Sequence, residues 1–314
     1  MPDSPALSAS PQSATPAQAQ APAAQRAREF SRRFPLHTGP VTALQFVQRI
    51  CEKAALPTAA DMEDYIVAGD PTTPVTGIAT TAMASLDCLN AAAKSGKNLV
   101  VTSEPTFWAD GDNLNRLEGN VELKAKRDFI RAHNLVCFHL HDHWPADGPN
   151  GIAVGMAREL GWENHIVDQA RPTHFKLPPT TLLELAKDLS TRLNDRTMRI
   201  IGDPHLPVAN VAATWGKASQ LPTIHLLNEP VDTVIVGYTH EWESVEYVQD
   251  MISTGQKKSM ILLGESRAEQ AGMKYCAEWL KTFISEVPVG FIPVIEPYWN
   301  LHNPTFEITS VQDM

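Results

Sequence analysis

The chain has 314 residues, 43% hydrophobic and 20% charged, with 26 Lys and Arg against 36 Asp and Glu for a formal charge of −10. That length sustains a substantial core and one large or two medium domains, whereas the acidic balance and the lack of a basic patch exclude a nucleic-acid or anionic-membrane binder. No apolar run approaches the ~20 residues of a bilayer span, and the scattered Cys51, Cys88, Cys137 and Cys276 fit neither a disulfide framework nor a thiolate zinc knuckle, which makes the reducing cytoplasm the expected compartment.

Residues 1–35 are mostly Ala, Pro, Ser and Gln, a composition with little to bury, and are expected to form a disordered tail. Arg32-Arg33 is not followed by the apolar stretch that a twin-arginine signal requires; a precursor trimmed at this end is compatible with the composition. From Val41 the pattern changes. Val41, Leu44, Val47, Ile50 and Cys51 recur at helical spacing and predict a helix over 41–56. Strands are then expected at 77–81, 98–102 and 135–140, alternating with helices at 85–93, 121–133 and 151–160. A linker-like stretch with Pro172, Pro178 and Pro179 precedes a helix at 181–193. Strands follow at 198–201, 208–213, 231–236, 260–263 and 289–294, with helices at 242–252 and 268–283. Runs apolar on both faces, alternating with helices, suit mostly parallel sheets covered on both sides. The expected fold is therefore two similar α/β halves, 36–170 and 171–300, followed by a tail over 301–314, with a site between the halves at strand carboxyl ends.

Ligands of open α/β sheets collect beyond the carboxyl ends of strands, and the polar residues of this chain gather there. Ser103-Glu104 follows one strand, His141-Asp142-His143 and Asp147 a second, His240-Glu241 a third, and Glu265 and Glu269 a fourth. Glu265 and Glu269 share one face if their segment opens a helix. There they either ligate a cation or simply complement the helix amino terminus. His143 and Asp147, with three residues between them in a tight loop, have the spacing to reach one ion. Carboxylates converging with imidazole would repel one another without a cation, which a divalent metal supplies. His139, alternating within a strand, reads as a packed core histidine. His141 and Asp142 read as groups that orient a ligand imidazole. Trp108, Trp144 and Trp242 lie near the strand ends, where they either stack a ring or fill core.

These motifs resemble those of the dinuclear-metal-centre hexameric proteins, a family related to the yeast NGG1-interacting factor and often filed as GTP cyclohydrolase 1 type 2-like. The resemblance spans about 41–300. His143-Trp144-Pro145-Ala146-Asp147, then Gly148-Pro149-Asn150-Gly151 and a helix ending Glu159-Leu160-Gly161, is similar to the family's His-x-x-x-Asp loop. Ser103-Glu104-Pro105 stands where the family has His-His-Pro, and Gly264-Glu265-Ser266-Arg267-Ala268-Glu269 where it has Gly-His-x-x-x-Glu.

The resemblance implies metal ligation by His143, Asp147 and Glu269, and places Glu104 and Glu265 where the family has histidines. The replacements make an oxygen-rich site for one or two divalent ions, with Mn²⁺, Mg²⁺ or Fe²⁺ favoured over Zn²⁺. The resemblance further implies a homo-oligomer, a toroidal hexamer. The expected function is metal-dependent hydrolysis of a small molecule, with His240 or Glu241 as general acid or base, His240 reading otherwise as a capping or packing residue at its strand end. The alternative is a non-enzymatic protein that binds, stores or senses metal.

Overall fold

The computed structural model describes residues 39–55, 65–109, 114, 117–140, 144–145, 148–169, 172–217, 220–302 and 304. The tail expected at 1–35, most of 301–314, and His141, Asp142, His143 and Asp147 lie outside the described residues. From Val41 onward the chain forms one contact unit.

The first helix, α1 (Ala43–Ala54), starts at Thr42, whose hydroxyl accepts from Gln45 N while Gln45 Oε1 accepts from Thr42 N. This reciprocal cap satisfies two amide donors that the first turn would otherwise leave open. Then follow β1 (Tyr65–Ala68), β2 (Ile78–Thr81), α2 (Leu86–Lys94), β3 (Leu99–Thr102), α3 (Val121–Ala132), β4 (Val136–His139) and α4 (Gly151–Glu159). The second stretch contributes β5 (His174–Thr181), α5 (Leu182–Leu193), β6 (Arg199–Ile201), β7 (Pro207–Lys217), α6 (Gln220–Asn228), β8 (Thr233–Tyr238), α7 (Glu246–Ser253), β9 (Ser259–Leu262), α8 (Glu265–Lys281) and β10 (Val289–Phe291).

The strands form two five-stranded sheets, ordered β1-β4-β3-β2-β10 and β5-β7-β8-β9-β6. In the first, β4, β3, β2 and β10 run parallel and only β1 is antiparallel. In the second, β7, β8 and β9 are parallel between antiparallel edges. The parallel strands β2, β3, β4 and β9 are buried at every residue, as their apolar runs require.

The structure departs from these expectations in several places. The stretch read as a linker around Pro178 and Pro179 is the edge strand β5, and its register shifts between Lys176 and Thr180. An edge strand with an irregular ladder tolerates the two missing amide donors. The short β1 and the helix α6 carry too little periodicity to be read in advance. A five-residue π-helical turn at Glu241–Val245 precedes α7, and α8 begins at Glu265, three residues earlier than its apolar pattern indicates. Finally, β10 pairs with β2 and so returns the end of the chain to the first sheet.

Helix α8 contacts β2 and β10 of the first sheet and β7 and β8 of the second. Its residues Arg267, Ala268, Ala271, Gly272, Met273, Cys276, Ala277 and Leu280 are buried. Thr80 Oγ1 of β2 donates to Met273 O at 2.7 Å, within this packing. One hydrophobic cluster accordingly includes Ile78, Val100 and Val136 of the first sheet together with Val211, Ile235 and Ile261 of the second. A smaller cluster around Val234, Val236, Val248 and Met260 fills the space beneath α6 and α7. No helix among the described residues is long and apolar enough to cross a membrane.

Candidate metal centre

Strand β3 ends at Thr102, and the next two residues are held firmly. Thr102 Oγ1 donates to Glu104 O at 2.7 Å, and Glu104 N donates to Ala82 O at 3.0 Å. His139, the last residue of β4, is buried, and its Nε2 donates to Ser103 O at 3.0 Å. It is the packed histidine that its alternation in the strand indicated. Beyond the turn, the buried Lys126 of α3 donates through Nζ to Thr106 O at 2.5 Å and lies 5.3 Å from the Trp108 ring centroid. A buried ammonium needs such acceptors. Lys126 was hidden from sequence reasoning because it reads as one more charge on an amphipathic helix.

The Ser103 hydroxyl donates to Glu269 Oε2 at 2.7 Å. This bond joins the carboxyl end of β3 to the first turns of α8. On the opposite side, Glu269 meets the end of β7: a Cβ on Gly216 would lie 2.1 Å from Glu269 Oε1, and Gly216 has φ +75°. A side chain at Gly216 would be strained by the left-handed backbone and would push the Glu269 carboxylate from this position. Glu269 is thus clasped between the ends of two strands from different sheets. Glu265 occupies the first position of α8, one turn before Glu269 on the same face. The helix amino terminus favours negative charge there. The turn into α8 lies against β8 through Leu263 N to Val236 O at 3.0 Å and Gly264 N to Gly237 O at 2.8 Å.

Beneath the same helix turn lies a buried group of charges. Arg267 Nε is 3.7 Å from Glu296 Oε2, Arg196 N donates to Glu296 Oε2 at 3.1 Å, and Thr197 Oγ1 donates to Glu296 Oε1. Asp195 beside them is 2% exposed. Burial pushes its carboxyl up to about 6; the Thr197 amide pulls the other way, and Glu296 adds to the rise. Arg267 stood within a strand-end motif of the sequence, but its meeting with Arg196 and Glu296 was not legible, because it depends on segments about 70 and 100 residues apart along the chain.

His143 and Asp147 lie outside the described residues. Between them in sequence, Trp144 is fully buried, with ring centroids 5.8 Å from Tyr275 and 5.3 Å from Trp279, both on α8. Trp144 therefore fills core, whereas Trp108 and Trp242 are exposed. His240 and Glu241, both beyond β8, part company. Glu241 pairs with Arg199 at 2.7 Å on the open surface, and His240 Nδ1 faces Glu243 Oε1 at 3.4 Å.

The donor types suit a hard divalent ion: Glu104, Glu265 and Glu269 offer carboxylate oxygens, and Ser103 already orients one of them. Among the described residues, no group of three or more His, Cys, Asp or Glu side chains is arranged to hold a metal. Glu104, Glu265 and Glu269 therefore do not form a complete ligand set among themselves.

The family model described as Duf34/NIF3 (NGG1p interacting factor 3) matches residues 42–297. Similar solved structures include the Staphylococcus aureus hypothetical protein SA1388, at 14% identity and TM-score 0.65, covering 84% of this chain and 100% of that one. The protein ybgI, of unknown function, is 23% identical with TM-score 0.62, covering 82% and 100%. A Bacillus cereus protein related to NIF3 is 10% identical with TM-score 0.64, covering 84% and 100%. At these identities the likeness is one of fold. No curated protein matches the chain.

Proposed function

Since this chain belongs to the Duf34/NIF3 family, we propose that it binds one or two divalent metal ions, Mn²⁺, Mg²⁺ or Fe²⁺ before Zn²⁺, and is a metal-dependent hydrolase of a small molecule. Glu269 carries this reading. A carboxylate held on one side by the Ser103 hydroxyl and met on the other by a glycine without a side chain is oriented as ligand carboxylates are. Glu104 and Glu265 stand at neighbouring strand and helix ends, and His143 and Asp147 complete the ligand set that the motifs imply. A divalent ion at such residues polarises the scissile group and acidifies water. The protein's own part is to fix the Glu269 carboxylate, through Ser103 and Gly216, and to supply an acid or base from the His240 segment. Glu241, taken up by Arg199 on the open surface, is the weaker candidate for that role. By the same family likeness we propose a homo-hexamer, and from the scattered cysteines a cytoplasmic location, which light scattering and fractionation would check.

Elemental analysis of protein purified without a chelating tag tests the reading, repeated on Glu269→Ala and Asp147→Ala. Stoichiometric divalent metal in the wild type and its loss in both variants is the expected result. A metal-free wild type after growth with ample metal removes the basis of the proposal. Phosphoesters, nucleotides and cyclic amides are then screened for metal-dependent turnover. Bound metal with no turnover on any class favours storage or sensing over hydrolysis.

A further inference from the structure

His240 sits three residues past Gly237, where the turn into α8 and Glu265 lies against β8. Its ring is held from three sides. Trp242 stacks on it at 5.7 Å between centroids and 13° between planes, and Tyr238 meets it edge-on at 5.6 Å. The third contact is Glu243, whose Oε1 is 3.4 Å from His240 Nδ1. The two partners differ in exposure: the Glu243 side chain is 13% exposed and the His240 side chain 49%. Glu243 is in turn tied down, with Thr239 Oγ1 3.5 Å from its Oε2 and the same hydroxyl 3.4 Å from the buried Ser244 Oγ. Among the described residues nothing pairs with Nε2 of His240. An ordinary surface ion pair has two mobile, exposed partners and is worth little. Here a largely buried carboxylate lies in charge contact with one ring nitrogen and leaves the other open; turning Nδ1–H onto it, as catalytic hydrogen bonds tighten when a site is filled, lets the carboxylate set the tautomer and aim of the imidazole.

We propose that Glu243, not Glu241, is the positioning residue for His240, and that the pair is the proton-transfer unit at the edge of the candidate metal centre. This rests on the hydrolase reading above. Glu243 keeps the proton of neutral His240 on Nδ1, so the lone pair is on Nε2. Nε2 takes a proton from the attacking water as the new bond to oxygen forms, then returns that proton to the leaving group as its bond breaks. The imidazole ends unchanged and one water is consumed. On the outward side of the same turn, Glu241 pairs with Arg199.

Histidine-selective ¹⁵N labelling of the full chain, with His240 assigned by His240→Asn, gives a readout independent of turnover. The expected result is an Nδ1–H tautomer in the wild type, its loss in Glu243→Ala, its retention in Glu243→Gln through the amide oxygen, and no change in Glu241→Ala. Retention in Glu243→Ala, or loss in Glu241→Ala, overturns the assignment of Glu243. Substoichiometric Mn²⁺ is then added. Broadening of the His240 ring protons that disappears in Glu269→Gln places the pair beside the metal centre. Broadening of other histidines with His240 left sharp overturns this inference alone. Absence of broadening at every histidine instead overturns the metal reading, and with it the role of the pair there.

Discussion

At the scale of single residues, the consequences of burial are the most direct. Asp195 has a carboxyl raised to about 6 from 3.8, chiefly by burial. Between those values the folded chain keeps a proton that the unfolded chain has lost. Stability from this group is therefore full below about pH 4 and declines as pH rises through 6, by a total on the order of 3 kcal/mol. Asp195→Asn keeps an oxygen for the Thr197 amide, which donates to Asp195 Oδ1 at 3.0 Å, and has no proton to lose. The stability of the variant relative to wild type should rise across pH 4–6 and level off above it; urea denaturation at a series of pH values measures this, and a difference independent of pH would contradict the assignment. Gly216 gives a second test. Both Gly216 and Gly119 have positive φ, but a Cβ at Gly119 meets nothing within 4 Å whereas one at Gly216 strikes Glu269. Each alanine substitution costs about 1–2 kcal/mol in backbone strain, and Gly216→Ala should exceed Gly119→Ala by at least ~1 kcal/mol through overpacking. Equal costs by chemical denaturation would mean that Glu269 moves aside freely.

At the scale of elements, α8 organises the site. Its first two turns present Glu265 and Glu269, its later turns carry the Tyr275 and Trp279 rings that bury Trp144, and its flank meets α4 so closely that a Cβ on Gly155 would lie 2.4 Å from Ala271 O. Trp144 is the described anchor of the segment that bears His143 and Asp147 in sequence. Trp144→Ala should cost about 3–5 kcal/mol, the usual range for deleting a buried large aromatic. Thermal and urea unfolding would register it; a loss below 1 kcal/mol would show that the segment is held elsewhere. The helix start was legible one turn late: Ala268 and later residues carry the apolar period, whereas Glu265 and Ser266 carry none and enter the helix because Gly264 turns the chain at φ +88°.

At the scale of the whole molecule, the two sheets share one core. The cluster that joins Ile78 and Val136 to Val211 and Ile261 runs through α8, and β10 ties the end of the chain to the first sheet. Neither sheet buries its α8-facing surface without the other. Unfolding should therefore be a single transition, with coincident curves from tryptophan fluorescence and far-ultraviolet circular dichroism. Two separated transitions would show that each sheet is stable alone. The surplus of acid, −10 in formal charge, is unevenly distributed in this frame: Glu265 and Glu269 sit at one helix end, and Asp195 and Glu296 lie buried beneath it against Arg196 and Arg267.

The sequence by itself determined the α/β alternation, the parallel core strands and the family, because doubly buried strands and amphipathic helices write their burial into local periodicity, and because the strand-end motifs are contiguous. Pairing across the chain was not legible. That Ser103 bonds Glu269, that Gly216 lies against the Glu269 carboxylate, that Glu243 and not Glu241 faces His240, and that Pro178 and Pro179 lie in an edge strand are decided by contacts between segments distant in sequence or by the path of one irregular turn. Such contacts leave no period in the chain; only the packing of α8 between two sheets brings them about.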